Sequence, residues 1–163
     1  MEKITEFSYG IIPVYVSEDG TYKVLVIRHA RNAHHRGFPK WHAEAVETPL
    51  QTAIRETREE VGIDHFDIHE EKMFEEHYSY IGKKHSYGNT QDPGSEEVEI
   101  VRTIGYFIWF TDTQVVQVRP GEIEDYARLP IDEVQERLTF PDIKRLFGEI
   151  KETLVRLQAH AQD

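Results

Sequence analysis

The chain has 163 residues, and 39% of them are hydrophobic, which is enough length and apolar content to bury a core. Its formal net charge of −11 argues against bulk attraction to nucleic acid or to an anionic membrane surface. It has no cysteine, which excludes disulfides, Cys-ligated zinc and thiol catalysis. The N-terminal residues lack the apolar run of a signal peptide, and no stretch is long enough to cross a membrane. We therefore expect one domain over residues 1–163 and a cytoplasmic location.

Two strand patterns open the chain, at residues 9–16 and 23–29, and both are rich in β-branched and aromatic residues. Pro13 lies in the first pattern and predicts a sheet edge or a bulge there. Residues 31–40 follow as a basic loop that contains Gly and Pro.

Residues 48–63 carry the clearest helical pattern in the chain. Thr48 can cap a helix, Pro49 suits its first turn, and Gly62 lies where a helix ends. An apolar stripe recurs between them at helical spacing, formed by Leu50, Ala53, Ile54, Thr57 and Val61. We predict an amphipathic helix that buries this stripe.

The same helix concentrates acidic side chains on one side. Glu56, Glu59 and Glu60 fall within about a third of a turn of one another. Like charges at i,i+4 destabilise an isolated helix by a few tenths of a kcal/mol. Three carboxylates held together are what a hard divalent cation needs, whereas the structural alternative is a solvated, salt-bridged helix face.

The second half of the chain mixes strand and helix patterns. Residues 98–110 are the strongest strand signal, residues 82–97 have loop composition, and the remaining patterns are one or two strands in 66–81, a strand-like run at 114–119, and helices at 131–138 and 141–161. This mixture of strands and helices predicts an α/β layered fold.

Residues 41–63 resemble the Nudix box, which is Gly, five residues, Glu, seven residues, then Arg-Glu-U-x-Glu-Glu-x-Gly-U with U apolar. The matching positions are Glu47, Arg55, Glu56, Glu59, Glu60, Gly62 and Ile63. The resemblance implies a Nudix-type α/β/α sandwich with a mixed sheet between helices. Thr57 departs mildly from the apolar position. Trp41 departs more, because it stands where the box has glycine, and it can narrow the pocket, stack on a base or disable the site.

The resemblance also implies an activity, which is Mg²⁺-dependent hydrolysis of a phosphoanhydride bond in a nucleoside polyphosphate, with Mn²⁺ as an alternative metal. Glu59 and Glu60 would be metal ligands, and Glu56 would be a ligand or the group that positions water. Arg55 would pair with a box carboxylate, Glu47 above all. Glu47 and Gly62 would then serve structure rather than chemistry.

Shorter stretches are similar to the diadenosine tetraphosphate hydrolase subgroup, beginning with the lead-in at residues 38–44. By this resemblance Glu122 is a further metal ligand or base, so the catalytic set is Arg55, Glu56, Glu59, Glu60 and Glu122. The implied substrate contacts include phosphate binding by Arg102 and base stacking by Tyr106, and the whole set is Lys40, Trp41, His42, Arg102, Tyr106 and Phe140. The structural alternatives are loop residues for Lys40 and His42, core aromatics for Tyr106 and Phe140, and an exposed turn residue for Glu122.

Two classes of function remain open at this point. The first is hydrolysis of diadenosine tetraphosphate to ATP and AMP, or of another nucleotide such as a nucleoside triphosphate, an RNA 5′ end or a nucleotide sugar. The second is a nucleotide-binding module in which Trp41 blocks catalysis. In the first case we expect Trp41→Gly to keep or raise activity. Both imply a small-molecule nucleotide ligand, no stable nucleic acid binding, no membrane, and a monomer or homodimer.

Overall fold

The structure is a computed structural model that describes residues 1–30, 35–42, 46–63, 65–83, 96–112, 116–119 and 121–161. Strands precede and follow one long acidic helix, and two further helices end the described chain. In chain order the elements are β1 (Lys3–Val16), β2 (Tyr22–His29), β3 (Arg36–Gly37), β4 (Lys40–His42), α1 (Pro49–Val61), β5 (Asp67–Lys83), β6 (Glu97–Thr111), β7 (Ile123–Pro130), α2 (Ile131–Arg137) and α3 (Pro141–Ala161).

All of these strands join one mixed sheet. Its main order is β3-β2-β1-β6-β5, with β4 also paired to β1 and β7 to β2. β1 and β6 run parallel from the Lys3–Glu99 pair to the Tyr15–Thr111 pair, and the other pairings are antiparallel. This long parallel pair forms the centre of the sheet.

The two faces of the sheet bury different side chains because successive residues of a strand point to opposite sides. Ile12 and Val14 of β1 pack in the largest core cluster with Phe147 and Ile150 of α3. Ile11 packs in a separate cluster with residues of α1, β6 and β4. Helices therefore cover both faces, and the predicted α/β/α sandwich with a mixed sheet is confirmed.

Helix α1 has the ends that its sequence predicts. Thr48 and Gln51 form a reciprocal capping box, and Pro49 is in the first turn. Gly62 adopts a left-handed conformation with φ of 69° and closes the helix. The two C-terminal helices also lie where they were expected.

The prediction of a sheet edge or bulge at Pro13 is wrong. Pro13 is buried in β1, which lies inside the sheet. Residues 8–10 of β1 pair with β4 and residues 14–16 pair with β2, so Pro13 falls between these two pairings. A residue without an N–H is tolerated in such a gap.

Residues 116–119 form no strand, contrary to the strand-like pattern, while residues 113–115 lie outside the described part of the chain. Gln117 N and Arg119 N instead donate to the carbonyl oxygens of Val61 and Glu60 at the end of α1. The segment therefore satisfies orphan carbonyls of the helix. β7 was not predicted, because its polar and charged residues give no clean alternation.

Two expected loops are partly strand. Short strands β3 and β4 lie within or next to the predicted basic loop, of which residues 31–34 lie outside the described residues. β5 extends to Lys83, so the first two residues of the loop predicted at 82–97 are strand. Residues 84–95 lie outside the described part of the chain. Across the described ranges, no helix combines the length and apolarity that a membrane crossing requires.

Candidate active site

The three glutamates of α1 have different environments although they share one side of the helix. Glu60 is buried with 8% of its surface exposed. The side chain of Glu56 is 18% exposed and that of Glu59 is 44% exposed. Glu60 faces the sheet and Glu59 faces solvent, as their separation of about 100° on the helix requires.

Arg55 forms ion pairs with three carboxylates, those of Glu47, Glu56 and Glu59. Its Nε and Nη2 atoms donate to the two carboxylate oxygens of Glu47 at 3.0 and 2.9 Å, which is a bidentate pair. Its Nη1 atom donates to Glu56 at 2.9 Å and to Glu59 at 3.4 Å. Hydrogen bonds from Arg55 hold the pKa of Glu47 below its usual range. The pair expected between Arg55 and Glu47 is therefore present, and it ties the segment before α1 to the helix.

Glu122 is a neighbour of Glu60 that does not belong to α1, because it lies in the chain just before β7. It follows the segment that caps α1, and its backbone oxygen accepts from Ala30 N at 2.9 Å. Burial, and after it the neighbouring carboxyl group of Glu122, raises the pKa of Glu60 to about 8. Arg119 lies beside them, 3.4 Å from Glu59 and 3.5 Å from Glu122.

A divalent cation fits the donor set at this position. The buried carboxyl group of Glu60 and the neighbouring carboxylate of Glu122 can supply hard oxygen ligands. The set of metal ligands is incomplete in this arrangement of side chains, because no three His, Asp or Glu side chains among the described residues are close enough together to hold a metal. Glu59 turns instead to Arg55 and Arg119, and Glu56 turns to Arg55.

Trp41 connects the acidic helix to a cleft on the sheet. Its Nε1 atom donates to Glu60 Oε2 at 2.6 Å. Trp41 is in β4, paired with Tyr9 of β1, and its ring packs against the cluster that contains Ile11 and Ala53. The same residue lines the cleft, so the two parts of the site share one side chain.

The cleft has a volume of about 660 Å³, within the usual range for small-molecule sites. Every substrate contact expected from the sequence lies along it, namely Lys40, Trp41, His42, Arg102, Tyr106 and Phe140. The structure thus brings together residues from β4, β6 and the start of α3. The α1 glutamates do not line the cleft, and the hydrogen bond from Trp41 connects Glu60 to it.

Two opposite charges stand inside the cleft. Burial lowers the pKa of Lys40, and burial raises the pKa of Glu76, while each partly offsets the shift of the other. His42 is exposed, and its Nδ1 atom lies 3.4 Å from Ser8 Oγ across the strand pair. Lys40 is the inward-facing cation here, and His42 is at the rim.

The predicted aromatic contacts differ in their access to a ligand. Tyr106 is only 2% exposed, packs edge-on against Phe38, and forms the floor of the cleft. Phe140 is 44% exposed and lies 4.9 Å from the His35 ring. A base can meet the face of Phe140 more readily than that of Tyr106.

Arg102 is already held by protein groups. Its guanidinium donates to Glu6 at 2.9 and 2.5 Å and to the Tyr78 hydroxyl at 3.1 Å. Glu6, Arg102 and Tyr78 form one row across β1, β6 and β5, because they are in register. Arg102 also lies 5.7 Å from the centre of the Tyr80 ring. Arg102 therefore holds in place an aromatic wall of the cleft, which is formed by Tyr78 and Tyr80.

Sequence reasoning missed that wall. Tyr78 and Tyr80 stack at 6.3 Å on β5 and line the cleft, as does Glu76. The alternation of these three residues along the chain was a usable signal, because residues two apart share a sheet face. Arg119 was missed as well, and no motif marks it.

The chain belongs to the NUDIX domain family, which matches residues 8–148, and it is a Nudix pyrophosphohydrolase. The asymmetrical bis(5′-nucleosyl)-tetraphosphatase of Sus scrofa is 29% identical over 83% of this chain and 82% of that protein. The protein of the same name from Mus musculus is 26% identical over 81% and 80%. The expected family and enzyme class are confirmed.

A solved structure supports the fold independently. The Ap4A hydrolase of C. elegans superimposes with a TM-score of 0.62 at 19% identity, covering 93% of this chain and 99% of that chain. At this level of identity the likeness concerns the fold alone.

Proposed function

We propose that this protein hydrolyses dinucleoside polyphosphates with the help of Mg²⁺, and that it cleaves diadenosine tetraphosphate asymmetrically to ATP and AMP. The observation that carries the proposal is the continuity of the site. A cleft with a partly buried lysine and exposed aromatic rings leads through Trp41 to the carboxyl group of Glu60, which has Glu122 beside it. The relatives that carry this activity in their names, at 25% to 29% identity, support the same substrate.

Each part of the site has a share in this reaction. A divalent cation held by Glu56, Glu59, Glu60 and Glu122 would neutralise the phosphates and orient the attacking water. Lys40 would meet a phosphate inside the cleft, where burial strengthens its field. Tyr80 and Phe140 would stack on adenine, and Arg102 would hold the tyrosine wall in place. Arg55 keeps the helix and the preceding segment together.

The test is product analysis with a nucleotide panel. Diadenosine tetraphosphate, a nucleoside triphosphate, a nucleotide sugar and a triphosphorylated RNA are each incubated with the protein and Mg²⁺, and the products are separated by anion exchange. We expect ATP and AMP in equal amounts from the first substrate and slower turnover of the others. Two molecules of ADP, or faster turnover of another member, would contradict the substrate.

The second candidate function, nucleotide binding without catalysis, makes the opposite prediction. It requires that no member of the panel is turned over, and that nucleotide binds equally well after metal removal by a chelator. The pair of Glu60 and Glu122 argues against it, because a binding module gains nothing from a buried carboxyl group with a second one beside it.

The remaining expectations accompany this proposal. A small nucleotide as ligand, no stable nucleic acid binding, a cytoplasmic location, and a monomer or homodimer all fit an enzyme of net charge −11. Sedimentation velocity with and without diadenosine tetraphosphate would check the oligomeric state.

A further inference from the structure

We propose that Trp41 is a positioning residue, whose indole N–H fixes the carboxylate of Glu60 for metal binding while its ring forms part of the cleft wall. This inference rests on the proposed function, because it concerns the same site. It assigns a role to the one large departure of this chain from the Nudix box.

The first argument is the hydrogen bond itself. Trp41 Nε1 and Glu60 Oε2 are 2.6 Å apart, so the indole N–H donates a close hydrogen bond to the carboxyl group. Glu60 is 8% exposed, so water contributes little to its solvation. A buried carboxylate depends on such donors for its orientation.

The second argument is the backbone at Trp41. The residue lies in β4 and pairs with Tyr9 of β1, which is ordinary extended structure. Within the described residues, the positive-φ glycines are Gly20, Gly62 and Gly121. The backbone here therefore has no need of a glycine, and a side chain that points to α1 costs no strain.

The third argument is what a glycine would lack. The Trp41 indole donates a hydrogen bond to Glu60, and a glycine has no side chain that could do so. Without this hydrogen bond the buried carboxyl group of Glu60 loses a contact that fixes its orientation. Groups that orient metal ligands in this way are typically worth 10- to 100-fold in metal affinity.

The experiment measures metal binding directly, with the free Mn²⁺ signal in electron paramagnetic resonance as readout. The full chain is compared with Trp41→Phe, which keeps an aromatic ring and removes the N–H. We expect Mn²⁺ affinity to fall by on the order of tenfold. Trp41→Gly should lose as much, in contrast to the expectation from the sequence alone that it keeps or raises activity.

Trp109→Phe is the matched control. The chain has two tryptophans, and Trp109 is buried, stacks on Phe66, and has an Nε1 atom without a hydrogen-bond partner in the described structure. Its Mn²⁺ affinity should stay within about twofold of the wild type. Thermal unfolding of each variant shows whether the fold is retained.

A second measurement does not depend on changing Trp41. In the Trp109→Phe protein, Trp41 is the sole tryptophan, so its emission reports on the environment of Glu60. We expect Mg²⁺ to change this emission along the Mn²⁺ binding curve, and Glu60→Gln to shift it without metal. Metal binding with no change in emission would overturn the inference.

The outcomes separate the two proposals. Equal Mn²⁺ binding by wild type and Trp41→Phe overturns the role of Trp41 and leaves the proposed function standing. Absence of Mn²⁺ binding by the wild type overturns both.

Discussion

Glu60 shows how burial and neighbours decide what one carboxylate can do. Its neighbour Glu122 and the lack of water favour the protonated form, whereas the Trp41 indole favours the charged form. The first two effects are larger, so its pKa lies above the usual range. A divalent cation would reverse this balance, because it rewards both ionised carboxylates at once. Without a metal the charged form of Glu60 is disfavoured, whereas a bound divalent cation would stabilise it.

We predict that Glu60→Gln separates activity from stability. Loss of a metal ligand removes several kcal/mol of transition-state stabilisation, so hydrolysis of diadenosine tetraphosphate should fall at least about a hundredfold. The free energy of unfolding without metal should stay equal or rise, because the change removes a buried acid whose charged form is disfavoured by burial and by Glu122. Steady-state kinetics and urea unfolding measure the two effects.

Glu133→Gln is the control for that substitution, since Glu133 is an exposed acid on α2 outside the cleft. It should leave both quantities unchanged. A Glu60→Gln protein with near wild-type turnover would contradict the assignment of Glu60 as a ligand.

At the scale of elements, α1 depends on its C-terminal glycine. Gly62 has a φ of 69°, and an added Cβ would lie 3.1 Å from Gln117 Cβ. The segment that presses on Gly62 is the one that leads to Arg119 and Glu122. The end of the helix and the position of the outer carboxylate are therefore coupled.

We predict that Gly62→Ala destabilises the protein by about 1 to 2 kcal/mol, from left-handed strain and the tight contact. Gly148→Ala is the matched control, because Gly148 is inside α3 and an added Cβ would stay 3.4 Å from Gln135. That change should be neutral or stabilising by up to about 1 kcal/mol. Urea unfolding compares them, and equal effects would contradict the strain argument.

The wall formed by β5 and β6 is the second element with a testable role. Tyr80 is 38% exposed at the cleft, and its hydroxyl accepts from Arg102 at 3.3 Å. The exposed part of its ring lies at the cleft, where a base can contact it.

We predict that Tyr80→Ala raises KM for diadenosine tetraphosphate by about tenfold with a smaller change in kcat, because base stacking is worth about 1 to 3 kcal/mol. Tyr80→Phe keeps the ring and should change KM by less than about threefold. If the two variants have the same KM, the ring does not stack on the substrate.

On the scale of the whole molecule, a net charge of −11 must be reconciled with a polyanionic substrate. The cleft does this locally with Lys40 and Arg102. These cations are partly buried, so salt screens them less than it screens the outer surface. The overall charge then acts against nonspecific partners rather than against the substrate.

His29, whose ring stacks on that of His35 at the cleft, also sets a pH dependence of folding. Burial, with the nearby charges of His35 and Lys40, lowers the pKa of His29 to about 4 from an ordinary 6.5. Between pH 6.5 and pH 4 His29 binds a proton in the unfolded chain but not in the folded chain. The free energy of unfolding therefore falls as the pH falls from 6.5 to 4. The contribution of His29 is at most about 3 kcal/mol and is fully present above pH 6.5.

We predict that His29→Gln flattens this part of the stability curve. Urea unfolding of both proteins at intervals from pH 4 to pH 7 measures the difference, in which the other titrating groups cancel. Curves that stay parallel across this range would contradict the role of His29.

The sequence by itself determined the elements whose signals are local. Thr48, Pro49 and Gly62 mark the ends of α1, and helical geometry puts its glutamates on one side. The resemblance to the Nudix box implied the pairing of Arg55 with Glu47, which is present at 2.9 Å. The same resemblance implied the family and its sandwich fold.

Only the tertiary structure decided which distant residues meet. The row of Glu6, Arg102 and Tyr78 depends on the register of three strands, and no residue in one strand specifies that register. The contact of Trp41 with Glu60 likewise requires that β4 pair with β1 and that α1 pack above it. Periodicity acts over a few residues, whereas these contacts arise from long-range pairing and packing. That is why the carboxylates could be predicted and the role of Trp41 could not.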